Sequence, residues 1–215
     1  MAKFDRKRPA RFLNLGTLIV VEGETEEKYF KDFKESRRLA NLEVVKAKHP
    51  SEIMETVKEV INKGYSPKGT RKNIYPPRSF KTVYVVFDVD EKPDLLKRNL
   101  SEIDELDGAV KLSQRKGEAI HVIPIVSNPC FEIWPLLLRK DLHPHEMPIS
   151  KCLEEMGKYF PGYEKGKKYG LPMLNEDDLE KHCRKAERLK TRCEDPSDLY
   201  TDMYRIMRDL EKMAE

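Results

Sequence analysis

The segment Lys81-Thr-Val-Tyr-Val-Val-Phe-Asp-Val-Asp90 constrains this chain more than any other. From Val83 to Phe87 every residue is apolar or aromatic, and most are β-branched. So short and continuous a run reads as a strand buried on both faces, the kind found inside parallel sheets. It ends on Asp88-Val89-Asp90. In extended backbone, residues two apart point to the same side, so both carboxylates leave the strand's carboxyl end together. Two readings stand at this point. A hard divalent cation, Mg²⁺ above others, can hold the pair against mutual repulsion. Alternatively the acids simply open the next helix, where the dipole favours them. Open α/β sheets bind their ligands at this edge.

The rest of the chain supplies neighbours for that strand. Thr17 to Val21 is a second apolar run and stops on Glu22-Gly23, with Gly23 permitting a sharp turn. Thr25 is the expected helix N-cap, Glu26 and Glu27 lie in the first turn, and Tyr29, Phe30 and Phe33 give an apolar face. Leu42 to Ala47 reads as a weaker strand. Ser51 is expected to cap a helix with Ile53, Val57, Val60 and Ile61 inward, ended by Gly64. After the Asp-x-Asp, Pro93 suits a first helical turn, and Leu96, Leu100, Ile103 and Leu106 mark the inner face. Ala119 to Val126 is the last strong strand, with Pro124 arguing for a sheet edge. Ser127-Asn128-Pro129 then predicts an N-cap and a helix carrying Glu132.

This β-α-β-α-β-α-β-α order predicts an α/β fold, a mostly parallel four-stranded sheet with helices on both faces. Residues 1–15 form a basic arm, 16–138 the α/β domain, and 139–215 a C-terminal helical region packed on it. Within that region, one helix is expected from Asn175 and another from Asp195-Pro196, with Leu199, Met203, Ile206, Leu210 and Met213 inward. Glu22, Asp88, Asp90 and Asn128 each follow a buried strand and therefore map to one edge of the sheet.

Charged residues make up 37% of the 215 residues and net charge is only +3, so bulk charge does not announce a nucleic-acid binder. Distribution says more. Lys68, Arg71, Lys72 and Arg78 lie in an acid-free stretch interleaved with Tyr65, Tyr75 and Phe80, a combination suited to single strands. Lys158 to Tyr169 repeats the pattern. His143 and His145 read as exposed imidazoles, not metal ligands. The four cysteines show no Cys-x-x-Cys pair and read as reduced, packed thiols. No apolar stretch reaches the ~20 residues of a membrane span. The start, Met1-Ala-Lys-Phe-Asp-Arg6, lacks a signal peptide's apolar core, so a cytoplasmic protein without a membrane partner is expected.

Leu18-Ile-Val-Val-Glu-Gly-Glu-Thr-Glu-Glu27, Val86-Phe-Asp-Val-Asp90 and Ser127-Asn-Pro-Cys-Phe-Glu-Ile-Trp134 resemble the RloB family of prokaryotic restriction and phage-defence loci. Tyr163-Glu-Lys165 and Asp195-Pro-Ser-Asp-Leu-Tyr200 extend the likeness. Where that family often has a histidine after the Leu-Leu-Leu run, this chain has Arg139. The resemblance implies a Toprim-like, Rossmann-like domain with Glu22, Asp88 and Asp90 as catalytic and metal-holding residues. It implies Mg²⁺, or Mn²⁺ in its place, phosphodiester cleavage in RNA or DNA, and an ATPase partner, and leaves open a homo-oligomer. Glu26, Asn128 and Glu132 are supporting candidates. The rival is a non-catalytic Toprim-like module that binds nucleic acid, nucleotide or a partner protein. A phosphatase of the haloacid-dehalogenase type is disfavoured, because it carries Asp-x-Asp on its first strand.

Overall fold

The computed structural model describes residues 15–65, 75–89, 93–113, 117–145, 147–193 and 198–214. One sheet contains β1 (Gly16–Val21), β2 (Leu42–Lys46), β3 (Phe80–Asp88), β4 (His121–Asn128) and β5 (Tyr200–Thr201). Their spatial order is β2-β1-β3-β4-β5. The first four are parallel, and short β5 runs antiparallel to the end of β4. The helices are α1 (Glu24–Ser36), α2 (Ile53–Lys63), α3 (Pro93–Leu106), α4 (Ile133–Leu136), α5 (Ile149–Tyr159), α6 (Glu176–Thr191) and α7 (Met203–Lys212). The expected α/β class and mostly parallel sheet are present, with a fifth strand added.

Both faces of the central strands are covered. Leu18, Val20, Val83, Val85 and Phe87 pack with Ile53, Val57 and Ile61 of α2 and Ile103 of α3. Ile19, Val21, Tyr84 and Val86 pack on the other side with Phe30 and Phe33 of α1, and with the apolar stripes of α6 and α7. Double burial is why these strands read as unbroken apolar runs.

Local expectations fared unevenly. Gly64 does end α2, at φ 81, where a Cβ would strike the Tyr75 carbonyl oxygen. Ser51 does not cap that helix: Pro50–Glu52 is a 3₁₀ turn, and no side chain caps α2. Pro124 sits where β4 has no outer neighbour among the described residues, since β5 pairs only with Ser127 and Asn128. Asn128 caps no helix. It ends β4, a cis peptide leads to Pro129, and its amide donates to the Asp198 carbonyl oxygen at 2.7 Å. The helix that follows is the short α4. The last helix begins at Met203, and Asp195-Pro196 lies outside the described residues. Tyr200–Thr201 is drawn into the sheet instead, with a 2.7 Å hydrogen bond between the Ser127 and Thr201 hydroxyls. Helical periodicity cannot register pairing with a strand so distant in sequence. Leu199, Met203, Ile206 and Leu210 are buried as expected, but Met213 is 40% exposed.

The helical region packs a histidine into the core. His182 of α6 lies against the Trp134 indole, ring centroids 4.1 Å apart, and its Nε2–H donates to the Trp134 carbonyl oxygen at 2.8 Å. Nδ1 is buried with no partner among the described residues. Burial pushes the imidazole pKa from 6.5 down to about 4. The unfolded chain therefore takes up a proton that the folded chain refuses across that interval. The stabilisation is complete above the unfolded value and is lost as pH falls toward the folded one, by ~3 kcal/mol. Urea unfolding should show this loss between neutral and mildly acidic pH in the native chain and a smaller one in His182→Gln. Equal losses would mean that other groups carry the acid sensitivity.

Candidate active site

β1 and β3 are parallel neighbours, with Val21 opposite Val86, so Glu22 and Asp88 emerge at the same carboxyl edge. Both line a cleft of about 120 Å³ together with Glu26, Glu132 and Lys165. Both also line an adjoining pocket of about 30 Å³, walled by Phe87, Leu96 and Asn99 among others. The structure thus brings Glu22, Asp88, Glu26 and Glu132 together. Asp90 lies outside the described residues. Asn128 reaches the same edge but faces a different groove of about 820 Å³, with His145, Ser150 and Asp198. That groove is larger, yet it shares no lining residue with the acidic cleft. His143 and His145 are exposed, as expected, and His145 Nδ1 lies 2.9 Å from Asp198 Oδ1.

Each acid is positioned by an identifiable contact. Asp88 Oδ1 accepts the Phe131 N–H at 2.8 Å, which ties the end of β3 to the segment after β4. Glu132 is buried, and its Oε1 accepts a short hydrogen bond from the Tyr163 hydroxyl. Its Oε2 has no hydrogen-bond partner among the described residues. Burial, and then the Glu132 carboxylate, push the Tyr163 hydroxyl pKa up. The Glu26 carboxylate lies over Gly23, where a Cβ would come 3.1 Å from Glu26 Cδ and closer still to Oε2. Gly23 is extended, φ −114, so no left-handed turn requires the glycine, and the Glu26 carboxylate is the mobile end of a side chain that could shift from an added Cβ. Gly23 also occupies the N-cap position. Thr25 instead donates its hydroxyl to the Lys167 carbonyl oxygen at 3.3 Å.

The segment from Tyr163 to Lys168 therefore roofs the cleft. Lys168 lies 3.9 Å from Glu24, which also pairs with Lys46 at 2.6 Å. The Lys46 hydrogen bond holds the Glu24 carboxyl below its usual range. Sequence reading treated this basic-aromatic stretch as a nucleic-acid patch and missed Tyr163 and Lys165 as site residues. The available signal was the match between acids at 22–27 and lysines at 165–168. Lys68, Arg71 and Lys72 lie outside the described residues. Arg78 is exposed just before β3, at the sheet edge opposite Asp88. Among the described residues, no group of three or more His, Cys, Asp or Glu is arranged to hold a metal ion.

Residues 17–210 match the family model described as RloB-like protein. The chain belongs to the RloB-like family. Comparison with curated proteins and with solved structures returned no match. The matched span of this RloB-like protein includes Glu22, Asp88, Glu132 and the roof over them. Among the described residues, no helix is long and apolar enough to cross a membrane.

Proposed function

We propose that this RloB-like protein is a Mg²⁺-dependent nuclease of the Toprim type, cutting RNA or DNA phosphodiesters in phage defence beside an ATPase partner. The main support is the placement of Glu22 and Asp88, from two parallel strands, in one cleft with Glu26, Glu132 and Lys165. The acidic donors are all carboxylate oxygens, the set that hard divalent cations take. Asp88, with Asp90 from beyond the described residues, would hold the ion, and Glu22 would ligate a second ion or act as general acid/base. When bound, Mg²⁺ supplies neutralisation of phosphate charge. The chain's own groups do the remainder. Phe131 N–H fixes the Asp88 carboxylate, Glu22 accepts a proton from the attacking water, and Lys165 offers a point charge to phosphate.

Lys165 among these acids also favours a second reading, a binding module whose cleft charge is balanced internally. Cleavage decides between them. The full chain should cut labelled RNA or DNA pools with Mg²⁺ or Mn²⁺, stop in EDTA, and fail as Asp88→Asn. Binding without cleavage under all these conditions would select the module.

The opposite-edge position of Arg78 gives a separate expectation. β3 spans 9 residues, roughly 30 Å of strand. A short oligonucleotide filling the cleft cannot reach Arg78, whereas a long single strand can. Arg78→Glu should lower the salt slope of long-strand binding by about 0.7 and leave the short ligand unaffected. Fluorescence anisotropy across a salt series measures both. Equal weakening of the two ligands would contradict this geometry.

A further inference from the structure

The inner stripe of α3 is apolar at Leu96, Leu100 and Ile103, but it is interrupted by Asn99, which is 1% exposed. Neither Asn99 Nδ2 nor Oδ1 has a hydrogen-bond partner among the described residues. Burying both halves of a carboxamide unpaired is unfavourable, and native proteins rarely tolerate it. The side chain lines the pocket of about 30 Å³ that also takes in Glu22 and Asp88. A polar cavity needs only about 10–15 Å³ to seat one water, given polar partners around it. Asn99, whose amide can both donate and accept, thus lines one pocket with two residues whose carboxylates accept.

We propose that Asn99 is a positioning residue for the cation site, holding a water between its carboxamide and the Glu22 and Asp88 carboxylates. This rests on the nuclease reading. Mg²⁺ keeps several of its waters when proteins bind it. Groups that orient ligands from outside commonly change metal affinity by ~10–100-fold. A carboxamide suits the task because its Nδ2–H donates to the water, leaving that water's two O–H groups for the Glu22 and Asp88 carboxylates, without adding a third negative charge. Leucine would fill the pocket and remove both polar atoms. The bland alternative is a structural water that supports only the packing of α3 on the sheet.

The test is Mn²⁺ titration of the full chain by calorimetry, in wild type, Asn99→Leu, Asn99→Ala and Asp88→Asn, with melting temperatures taken metal-free. Asn99→Leu should bind Mn²⁺ at least about tenfold more weakly, with a metal-free melting temperature at or above wild type. Should it misfold, Asn99→Ala, which retains the space, must show the weakening instead. Unchanged affinity in the folded Asn99 variants, with binding lost in Asp88→Asn, overturns the Asn99 role and leaves the nuclease reading standing. No Mn²⁺ binding by wild type overturns the nuclease reading, and this role with it.

Discussion

Replacing Glu22 by glutamine is expected to lower single-turnover cleavage by about two orders of magnitude or more, the range for losing a general acid/base. The change keeps the shape of a half-buried side chain at the end of β1 and removes one charge. Glu26, Asp88 and Glu132 line the same cleft, so the loss relieves like-charge repulsion. The metal-free protein should therefore melt no lower than wild type. Asp88→Asn should cost at least as much activity. It preserves an oxygen for the Phe131 N–H, so its defect should be one of cation affinity, partly recovered at high Mg²⁺. If wild type and Glu22→Gln show only the same residual activity, that activity does not come from this cleft and the nuclease reading gives way to the binding module.

The largest loss of stability is expected from Trp134→Ala. Trp134 is 1% exposed in the core shared by α1, α4 and α6. Truncating a buried indole costs ~3–5 kcal/mol through lost transfer energy and the cavity left behind. Two further losses follow here. The Tyr29 hydroxyl loses the indole N–H that donates to it at 2.9 Å, and His182 loses the ring it packs on. Trp134→Phe should retain most of the packing and forfeit mainly the hydrogen bond, about 1–3 kcal/mol for a buried group left unpaired. Urea unfolding followed by circular dichroism measures both, since the chain's one tryptophan is itself removed. A Trp134→Ala loss no greater than that of Trp134→Phe would contradict this account of the core.

What the sequence made legible, and what it hid, divides by the range of the interaction. Glu22 and Asp88 could be placed together because buried parallel strands announce themselves as apolar runs, and each acid follows one. Gly23 is extended and does not use the left-handed freedom a glycine offers, which a sequence alone does not reveal. Asn99 was passed over, since a helical stripe is read from Leu96, Leu100 and Ile103 and not from the polar residue between them. The roof was marked in the sequence only by its lysines and by Tyr163-Glu-Lys165, with nothing to say what it covers. Lys165 and Tyr163 read as part of a basic-aromatic patch and of the family likeness, and only the tertiary fold sets them against Glu132 and the β1 turn. β5, two residues long, has no periodicity to read.

The Thr25–Lys167 contact, which joins the first helix to the roof across 142 positions, bears on the order in which the molecule is made. Synthesis delivers the acids of β1 and β3 early and the covering lysines much later. Contacts so far apart along a chain form slowly, because loop closure must precede any gain from them. Glu22 and Asp88 are thus synthesised well before Lys165, so the lysine side of the cleft closes by a long-range contact.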